Sequence, residues 1–537
     1  MPNVAVRTGH LPKPAGTAPP RAAPPAHGAR RSGLVRQAAL LSLLALFVRA
    51  PSFARPFWSP DEGYLGTEAA LLRAGGTMYG DVVDRKPPLV PWLYEASFAL
   101  AGPHGLWLVR VLAVAALALT GILTARLAER WWGRWAALPA GVLTVAGTAA
   151  LPAPDAMAAT FEVFMLPATV AAMYFGARRR YLSAGLAVAV AALTKQVGLA
   201  PLLPLAVQIL AGHRRARGVA VLLAGAATPL AVCALALGVR PFTFWVFLSS
   251  GSYASSPPGL AETAARAGNA LLCLLTAFAL ALLLVPRLPW RNPVRRRCLK
   301  APAARDRGAA VPPRDEARRD AARALAGWLP ASMAAVAVGW HFYGHYFLQL
   351  TPPLSLGSLW LVDTVRRADA ADRRTSRAGG AARTASVLAV GAVVAAGVWT
   401  AAAFHSAPPG LPKMLRVATA VAERTTPEQR VFQWGMHPEI YWLSGRLPSS
   451  RYLTAGLLTN FSGGGDPARV GHRYAVPGAW DRFRAELAES PPCLVVDDSA
   501  GTPYRLASYP ELRDLLARDY RQVAVVDGAR LYQRHAC

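Results

Sequence analysis

The chain has 537 residues, of which 53% are hydrophobic and 16% are charged, whereas a soluble globular protein has about 25% charged residues. Many apolar runs reach the length of about 17 to 25 residues that spans a bilayer, so the composition excludes an ordinary soluble protein and predicts a polytopic α-helical membrane protein. The formal net charge of +28 is typical of nucleic-acid binders. The arginines, however, fall in loops between apolar runs, and no nucleic-acid-binding motif accompanies them. We therefore expect membrane lipids as partners and no nucleic acid.

The first apolar run covers residues 34–50. Residues 1–33 are rich in Pro, Ala and Arg, which predicts a disordered cytoplasmic N-terminus. The run is long, and Arg49-Ala50-Pro51 is a poor cleavage site, so we interpret it as an uncleaved first span. It places residues 51–87, the first outer loop, on the extracytoplasmic side.

The first outer loop contains the stretch SPDEGYLGTEAALLRAGGTMYGDVVDRKPP, residues 59–88. Paired carboxylates, Asp61 and Glu62, begin it, and Lys86 precedes two prolines at its end. This pattern suggests a site for an anionic substrate. Alternatively, Ser59 and Glu62 form a capping box that starts a helix at residues 63–73, although this leaves Asp61 unexplained.

The apolar runs and basic loops predict about eleven crossings, an odd number, with the N-terminus inside and the C-terminus outside. Residues 88–101 are apolar but short, and we interpret them as a helix at the interface. The later crossings are 106–127, 136–151, 157–176, 182–194, 197–212, 219–237, 269–285, 325–340, 346–362 and 387–403. Residues 34–404 thus form the membrane domain, and residues 287–323 form a basic cytoplasmic loop that we expect to be poorly ordered.

After residue 405 the composition changes to that of a small α/β domain, residues 405–537. We expect strands at 431–435 and 494–497, helices at 437–444, 481–489 and 510–519, and a closing hairpin of 522–527 and 529–533. The topology places this domain outside the cytoplasm. Cys493 and Cys537 then meet an oxidising compartment and either form a disulfide or remain free thiols.

Polar residues near the ends of predicted spans are candidates for function. Glu162 and Lys195 lie in or beside two spans, and Asp155 lies in the outer loop before Glu162 or caps the helix after it. His341 and His345 are four residues apart and share one face if that segment is helical. Two imidazoles alone do not make a metal site, so the sequence leaves open whether a divalent cation takes part, and no other cofactor is expected.

Three motifs in this order resemble the GT-C class of membrane glycosyltransferases, especially the bacterial protein O-mannosyltransferase and aminoarabinose transferase families (glycosyltransferase family 39 and its neighbours). They are the Asp-Glu…Lys-Pro-Pro loop, HFYGHYFLQLTPP at 341–353 and WGMHPEIYWLSG at 434–445. The resemblance implies that Asp61 is the catalytic base, with Glu62 as its helper or as the cap.

The site residues that follow from this resemblance fall into two groups. The donor phosphate is expected to contact Lys86, Arg85, Lys195 and His345. Further substrate contacts are expected from Asp155, Glu162 and His341.

The function implied is transfer of a sugar from a polyprenyl-phosphate donor to an extracytoplasmic acceptor, with inversion at the anomeric carbon. The enzyme would lie in the plasma membrane and use a hexosyl or pentosyl donor, and its acceptor would be a protein, a lipid or a glycan. The alternative is a transporter or lipid flippase, which explains the many spans and intramembrane charges but not the acidic-then-basic outer loop. The sequence specifies neither the sugar nor the acceptor nor the oligomeric state.

Overall fold

The computed structural model describes residues 27–211, 215–254, 258–287, 313–373, 379–461 and 466–537. The predictions of a disordered N-terminus and of a poorly ordered basic loop lie largely outside these residues. Where described, both segments are more helical than expected, because helices begin at His27 and at Pro313.

The chain up to residue 405 is built from helices. They are α1 (His27–Arg49), α2 (Pro60–Arg73), α3 (Leu89–Ala101), α4 (Gly105–Trp132), α5 (Arg134–Thr148), α6 (Ala153–Met157), α7 (Phe161–Ala177), α8 (Tyr181–Thr194), α9 (Leu202–Leu210), α10 (Arg215–Leu237), α11 (Val239–Thr243), α12 (Ser249–Ala254), α13 (Leu260–Ala277), α14 (Ala279–Leu282), α15 (Pro313–Ala337), α16 (Thr351–Arg373) and α17 (Gly379–His405). Large apolar side chains on α1, α10, α13 and α17 are exposed, as expected of helix faces that meet lipid.

Four stretches in the described part of the chain are long and apolar enough to cross a membrane: Ser32–Ala54, Leu89–Trp132, Arg215–Leu237 and Gly380–His405. Shorter apolar helices are Phe161–Ala177, Tyr181–Thr194 and Gln196–Leu210. Three of the expected crossings are not single α-helices in the described residues: 269–285 is divided between α13 and α14, 197–212 begins with a 3₁₀ turn before α9, and 346–362 begins with a 3₁₀ turn before α16. The count of about eleven crossings stays a prediction, as do the sides on which the loops lie.

The end of the basic loop is a correction to the sequence prediction. Residues 313–323 were expected to be loop, but they form the first turns of α15. This stretch is rich in Ala and Arg, which favour helix. Asp315 pairs with Arg318 at 3.3 Å and Asp320 with Arg323 at 3.1 Å, and such pairs three residues apart stabilise a helix.

The C-terminal part contains a four-stranded sheet in the order β1-β2-β4-β3. Its strands are β1 (Val431–Trp434), β2 (Leu494–Asp497), β3 (Tyr520–Val526) and β4 (Ala529–Arg534), and its helices are α18 (Leu411–Arg424), α19 (Glu439–Ser444), α20 (Gly456–Thr459), α21 (Ala479–Glu489) and α22 (Pro510–Asp519). β1 and β2 are parallel, whereas β4 is antiparallel to both β2 and β3. The expected strands, helices and closing hairpin are all present within a few residues of the predicted bounds.

Cys493 and Cys537 form a disulfide, with their Cα atoms 5.8 Å apart. The bridge is possible because β2 and β4 are neighbours, with Leu494 opposite Gln533. It closes a loop with a sequence separation of 44 residues and ties down the end of the chain.

We predict that Cys493→Ser lowers the free energy of unfolding by roughly 4 kcal/mol, the chain-entropy value for a loop of this length. The thermal midpoint of the C-terminal part is measured, with limited proteolysis at increasing temperature as the readout of unfolding. Cys273→Ala, which removes a free thiol, is the matched control. A C493S protein as stable as the control, or two separately alkylated peptides in a non-reduced digest, would show that the bridge does not form.

The C-terminal part packs closely against the first outer loop. A Cβ added at Gly63 of α2 would lie 2.6 Å from the Cα of Glu439, and one at Gly66 would lie 3.2 Å from the ring of Trp442. Thr67 Oγ1 donates to the carbonyl of Pro438 at 3.2 Å. The absence of side chains at residues 63 and 66 thus allows α2 to lie directly on α19.

Candidate active site

Asp61 and Lys86 meet at the two ends of the first outer loop. Asp61 is in the first turn of α2, where the Ser59 hydroxyl accepts its N–H at 3.1 Å. Lys86 Nζ lies 3.6 Å from Asp61 Oδ1 and 4.4 Å from the ring centroid of Phe161. Both side chains are about one-third exposed or less, at 34% for Asp61 and 27% for Lys86. The pair is therefore accessible to a ligand.

A second ion pair lies beside the first. Lys195, directly after α8, pairs with Glu162 in the first turn of α7. Glu162 is almost fully buried, and Lys195 Nζ lies 3.9 Å from the ring centroid of Tyr346. A buried carboxylate requires such a partner, which explains why Lys195 is held in this position.

Asp155 holds His345 at the edge of the same cluster. Its Oδ1 accepts the backbone N–H of His345 at 2.9 Å and lies 2.8 Å from the ring Nδ1. His345 Nε2 then lies 4.0 Å from Glu162 Oε1. A Cβ at Gly344 would be 2.6 Å from Asp155 Cγ, so glycine permits this approach. Asp155 lies inside α6, whose N-cap is Pro152, and its carboxylate therefore serves His345 rather than a helix cap.

His341 and His345 do not share a helix face. Residues 341–343 lie outside any helix, and φ is positive at Trp340 (58°) and at Phe342 (45°). The alternate rings therefore stack: His341 on Tyr343 at 5.8 Å and Tyr343 on His345 at 5.6 Å between centroids. His341 is fully buried behind Tyr343, so it supports His345 and does not line the cluster.

Glu62 points away from Asp61 and holds the start of α2 in place. Its carboxylate accepts the N–H of Trp58 at 2.6 Å and the N–H of Ala159 at 2.9 Å, and Arg110 Nη2 lies 3.4 Å away. A capping box would require the Glu62 carboxylate to accept the backbone N–H of Ser59. It accepts the N–H of Trp58 instead, so Ser59 and Glu62 do not form a capping box. It joins α2 to α4 and to the segment before α7, which fixes the position of Asp61.

Arg85 contributes its backbone to the site. Its carbonyl accepts from the side chain of Gln196 and from the Ser250 hydroxyl at 3.3 Å. These contacts fix the chain just before Lys86. The Tyr79 hydroxyl, which donates to the carbonyl of Lys86 at 2.8 Å, fixes it on the other side.

The charges of the cluster are arranged so that Asp61 is ionised. Burial raises the pKa of Asp61, but the positive charges of Lys86, His345 and Lys195 together lower it by more. The net pKa therefore lies below the ordinary value of 3.8. Burial lowers the pKa of Lys86, whereas Asp61 and Asp84 raise it more, so the net pKa is raised. At neutral pH the site thus presents a carboxylate beside an ammonium group.

Glu68 and Asp84 are buried carboxyl groups that the sequence did not single out. Glu68 is fully buried, and neither of its oxygens has a hydrogen-bond partner among the described residues. Burial, followed by the charge of Asp84, raises the pKa of Glu68 well above its ordinary value of 4.5. Burial and the neighbouring Asp84 therefore favour the protonated form of Glu68. The sequence feature that could have identified Glu68 is its spacing: it lies seven residues after Asp61 in one helix, so both residues are on the same helix face.

We predict that Glu68→Gln stabilises the protein more at about pH 8 than at about pH 5. Because the native pKa is raised, the folded state keeps a proton that the unfolded state loses as pH rises above about 4.5, so the stability of the wild type falls with pH. Glutamine mimics the protonated acid and removes this dependence. Thermal midpoints at both pH values test it, with the exposed Glu489→Gln as control. An equal shift at both pH values would contradict the assignment.

The arginines at the base of the site were also missed. Arg49 donates to the carbonyls of Ala156 and Met157 at 2.7 and 2.8 Å, and Arg110 donates to the carbonyl of Arg55 at 2.8 Å. Both are almost fully buried. A charged residue inside an apolar run was the signal that could have identified them.

Among the residues described, no group of three or more His, Cys, Asp or Glu is arranged to hold a metal ion. The carboxylates of the cluster instead have cationic partners: Asp61 has Lys86, Glu162 has Lys195 and Asp155 has His345. The cluster therefore combines a carboxylate able to accept a proton with two lysines able to bind a phosphate.

Residues 85–245 match the model of the dolichyl-phosphate-mannose-protein mannosyltransferase family. No curated protein matches the chain.

Solved structures resemble the chain over most of its length. ArnT from Cupriavidus metallidurans bound to undecaprenyl phosphate is 16% identical, with a TM-score of 0.55, over 95% of this chain and 99% of that one. The oligosaccharyltransferase AglB from Archaeoglobus fulgidus, in complex with an inhibitory peptide and a dolichol-phosphate, is 13% identical, with a TM-score of 0.51, over 88% and 70%. The chain thus has the fold of the GT-C membrane glycosyltransferases, as its motifs indicated.

Proposed function

We propose that this protein is an integral-membrane glycosyltransferase that moves a sugar from a polyprenyl-phosphate donor to an extracytoplasmic acceptor with inversion. The observation that carries the proposal is the pairing of Asp61 with Lys86, 3.6 Å apart and partly exposed. The pairing of Lys195 with Glu162 beside them supports it.

The donor phosphate binds at Lys86 and Lys195. An ammonium group is a compact point charge suited to phosphate, and both lysines are held by carboxylates and aromatic rings. His345 donates from Nε2 when protonated, because Asp155 occupies Nδ1. Arg85 adds positive charge at the same loop.

Asp61 acts as the general base. The hydroxyl oxygen of the acceptor attacks the anomeric carbon and gives its proton to Asp61. The new oxygen–carbon bond forms as the bond from that carbon to the phosphate oxygen breaks. The polyprenyl phosphate departs with the bonding electron pair, and the two lysines stabilise its charge.

Donor binding strengthens the base. Without a donor, Lys86, His345 and Lys195 lower the pKa of Asp61. A phosphate between the lysines offsets their charge, so the pKa of Asp61 rises toward the range in which it accepts a proton readily. The base is therefore most effective when the sugar is in place.

The solved structures support a lipid-linked donor. ArnT was solved with undecaprenyl phosphate and AglB with a dolichol-phosphate. Both ligands are polyprenyl phosphates. Their phosphate group corresponds to the part of the donor that would bind the two lysines.

We further propose that the first outer loop and the C-terminal α/β domain lie outside the cytoplasm, and that the N-terminus and the basic loop lie inside. A membrane-impermeant thiol reagent should label a cysteine placed at Gly76 or Gly464 in intact cells, but not one at Ala310. The positive-inside rule gives the reason, because residue 310 lies within a loop rich in arginine. Permeabilised cells, in which all three sites should react, provide the control. Labelling at Ala310 in intact cells would reverse the topology.

The function is tested by incubating membranes that contain the protein with a panel of radiolabelled polyprenyl-phosphate sugars. Label should move from one donor to a non-lipid or glycolipid product, and membranes without the protein should show no transfer. A transporter or flippase would move the donor across the bilayer and leave the sugar attached to its lipid.

A further inference from the structure

A second polar cluster lies at the carboxyl ends of the parallel strands β1 and β2. His437 follows β1, and its Nδ1 lies 2.9 Å from Glu439 Oε1. Asp498 follows β2, and its Oδ1 accepts from Lys413 Nζ at 2.6 Å. In open α/β sheets, ligands bind in the crevice outside the carboxyl ends of such strands. This cluster is separate from the Asp61 site and has no role in the chemistry described above.

Two buried side chains here have polar atoms without a hydrogen-bond partner in the part of the chain that the structure describes. Gln433 in β1 is fully buried, and neither of its amide atoms is bonded. Glu439 is 1% exposed, and its Oε2 is unbonded. Buried polar atoms are nearly always satisfied in native proteins, so these require a ligand or ordered water.

The Gln433 side chain points into the cluster. β1 ends at Trp434, and Gly435 lies in the bend that follows it. A Cβ at Gly435 would collide with Gln433 Nε2 and lie 3.3 Å from Asp498 Cβ. The amide of Gln433 therefore lies beside Gly435 and near Asp498, in space that a side chain at residue 435 would enter.

The remaining bonding capacity of the cluster suits hydroxyl groups. His437 Nε2 lies 3.8 Å from Asp498 Oδ2, which is too long for a direct hydrogen bond, so both atoms can bond to one ligand group. Both basic groups of the cluster already lie beside carboxylates, Lys413 beside Asp498 and His437 beside Glu439, which disfavours an anionic ligand. A hydroxyl both donates and accepts, so it can pair with the donors and the acceptors present.

The cluster and Asp61 flank the same end of α2. Glu439 lies directly against Gly63, whereas Asp61, two residues earlier, faces the opposite side of the helix at about 100° per residue. A helix with its side chains is about 10 Å across. A ligand that reaches both sites must therefore have several linked units, as a saccharide has.

Resting on the proposed function, we propose that His437, Asp498 and Gln433 bind hydroxyl groups of a saccharide that forms part of the acceptor. The acceptor is then a glycan or glycolipid. The attacking hydroxyl lies at Asp61, and a neighbouring sugar unit lies in the cluster at the strand ends.

The test is saturation-transfer difference NMR with the full-length protein in detergent. The probes are a mixture of methyl glycosides of glucose, galactose, mannose and arabinose, the disaccharides of these sugars, and an N-acetylated, C-amidated threonine tripeptide. We expect signals from at least one saccharide, and binding should weaken about tenfold or more in His437→Gln and in Gln433→Leu, as for the loss of a hydrogen bond to a charged or buried group. His472→Gln, which removes another histidine beside a carboxylate in the same domain, should bind as the wild type does.

The outcomes separate this inference from the proposed function, because binding is measured without transfer. No saccharide signal in the wild type, equal signals in all variants, or a tripeptide signal that His437→Gln abolishes would each overturn the saccharide site. Unchanged binding of undecaprenyl phosphate by the variants shows that they remain folded.

Discussion

Asp61→Asn should reduce sugar transfer about a hundredfold or more, the usual effect of losing a general base. Asparagine has nearly the same size and is also well accepted at the start of a helix, and the cap itself comes from Ser59. The variant should therefore fold and bind the donor. The measurement is the initial rate of transfer from the donor that the wild-type protein uses, at equal amounts of protein in the membrane.

The matched control is Asp81→Asn. Asp81 lies in the same outer loop and is exposed, and its carboxylate accepts from the backbone and hydroxyl of Thr77 at 2.9 Å. It should transfer sugar at nearly the wild-type rate. Near wild-type turnover in Asp61→Asn would remove Asp61 from the mechanism.

The pH dependence gives an independent check on the same residue. The pKa of Asp61 is lowered in the free protein, so kcat/KM should fall only as pH drops through that lowered pKa. With donor bound, the phosphate offsets the lysines and the pKa of Asp61 rises. The acid limb of kcat should therefore lie at higher pH than the acid limb of kcat/KM.

The local parts of the site followed from the sequence because short motifs carry them. Asp61 and Lys86 lie in one loop of which the acidic start and basic end were recognisable. The strands, the closing hairpin and three helices of the C-terminal part also followed, since short apolar runs and an Asp-Gly turn, here Asp527-Gly528, are local signals. Helix α18 was not among the predicted elements.

The long-range pairings did not follow from the sequence. Asp155 binds His345, which is 190 residues later, and nothing in either local pattern names the other as partner. Glu62 fits a capping box in sequence, yet its carboxylate instead binds the backbone N–H of Ala159 and the buried Arg110, which are distant in sequence. The geometry of His341 and His345 was missed for a similar reason. The positive φ values at Trp340 and Phe342 replace the helix with a loop of stacked rings.

The two lysines should both contribute to donor binding, but with different effects on folding. Lys86→Ala and Lys195→Ala should each weaken donor binding by about 1.5 to 3 kcal/mol, the range for hydrogen bonds to charged groups. Lys86 pairs with Asp61, which is partly exposed. The loss of this ion pair in Lys86→Ala should therefore leave the free energy of unfolding nearly unchanged. The partner of Lys195 is the buried Glu162, and an unpaired buried carboxylate is strongly destabilising.

Lys195 is therefore best tested in a background that removes the buried charge. Glu162→Gln with Lys195→Met leaves no unpaired charge, so this double variant should fold better than Lys195→Ala while still binding the donor weakly. Affinity for undecaprenyl phosphate, measured by titration in detergent, is the readout. Arg416→Ala, which removes a cation paired with Asp527 in the C-terminal part, is the control and should bind like the wild type.

Since the phosphate contact and the ion pair with Glu162 are separate properties of one ammonium group, weak binding in a well-folded double variant would assign the phosphate to Lys195. Wild-type affinity there and in Lys86→Ala would exclude both lysines from the donor site.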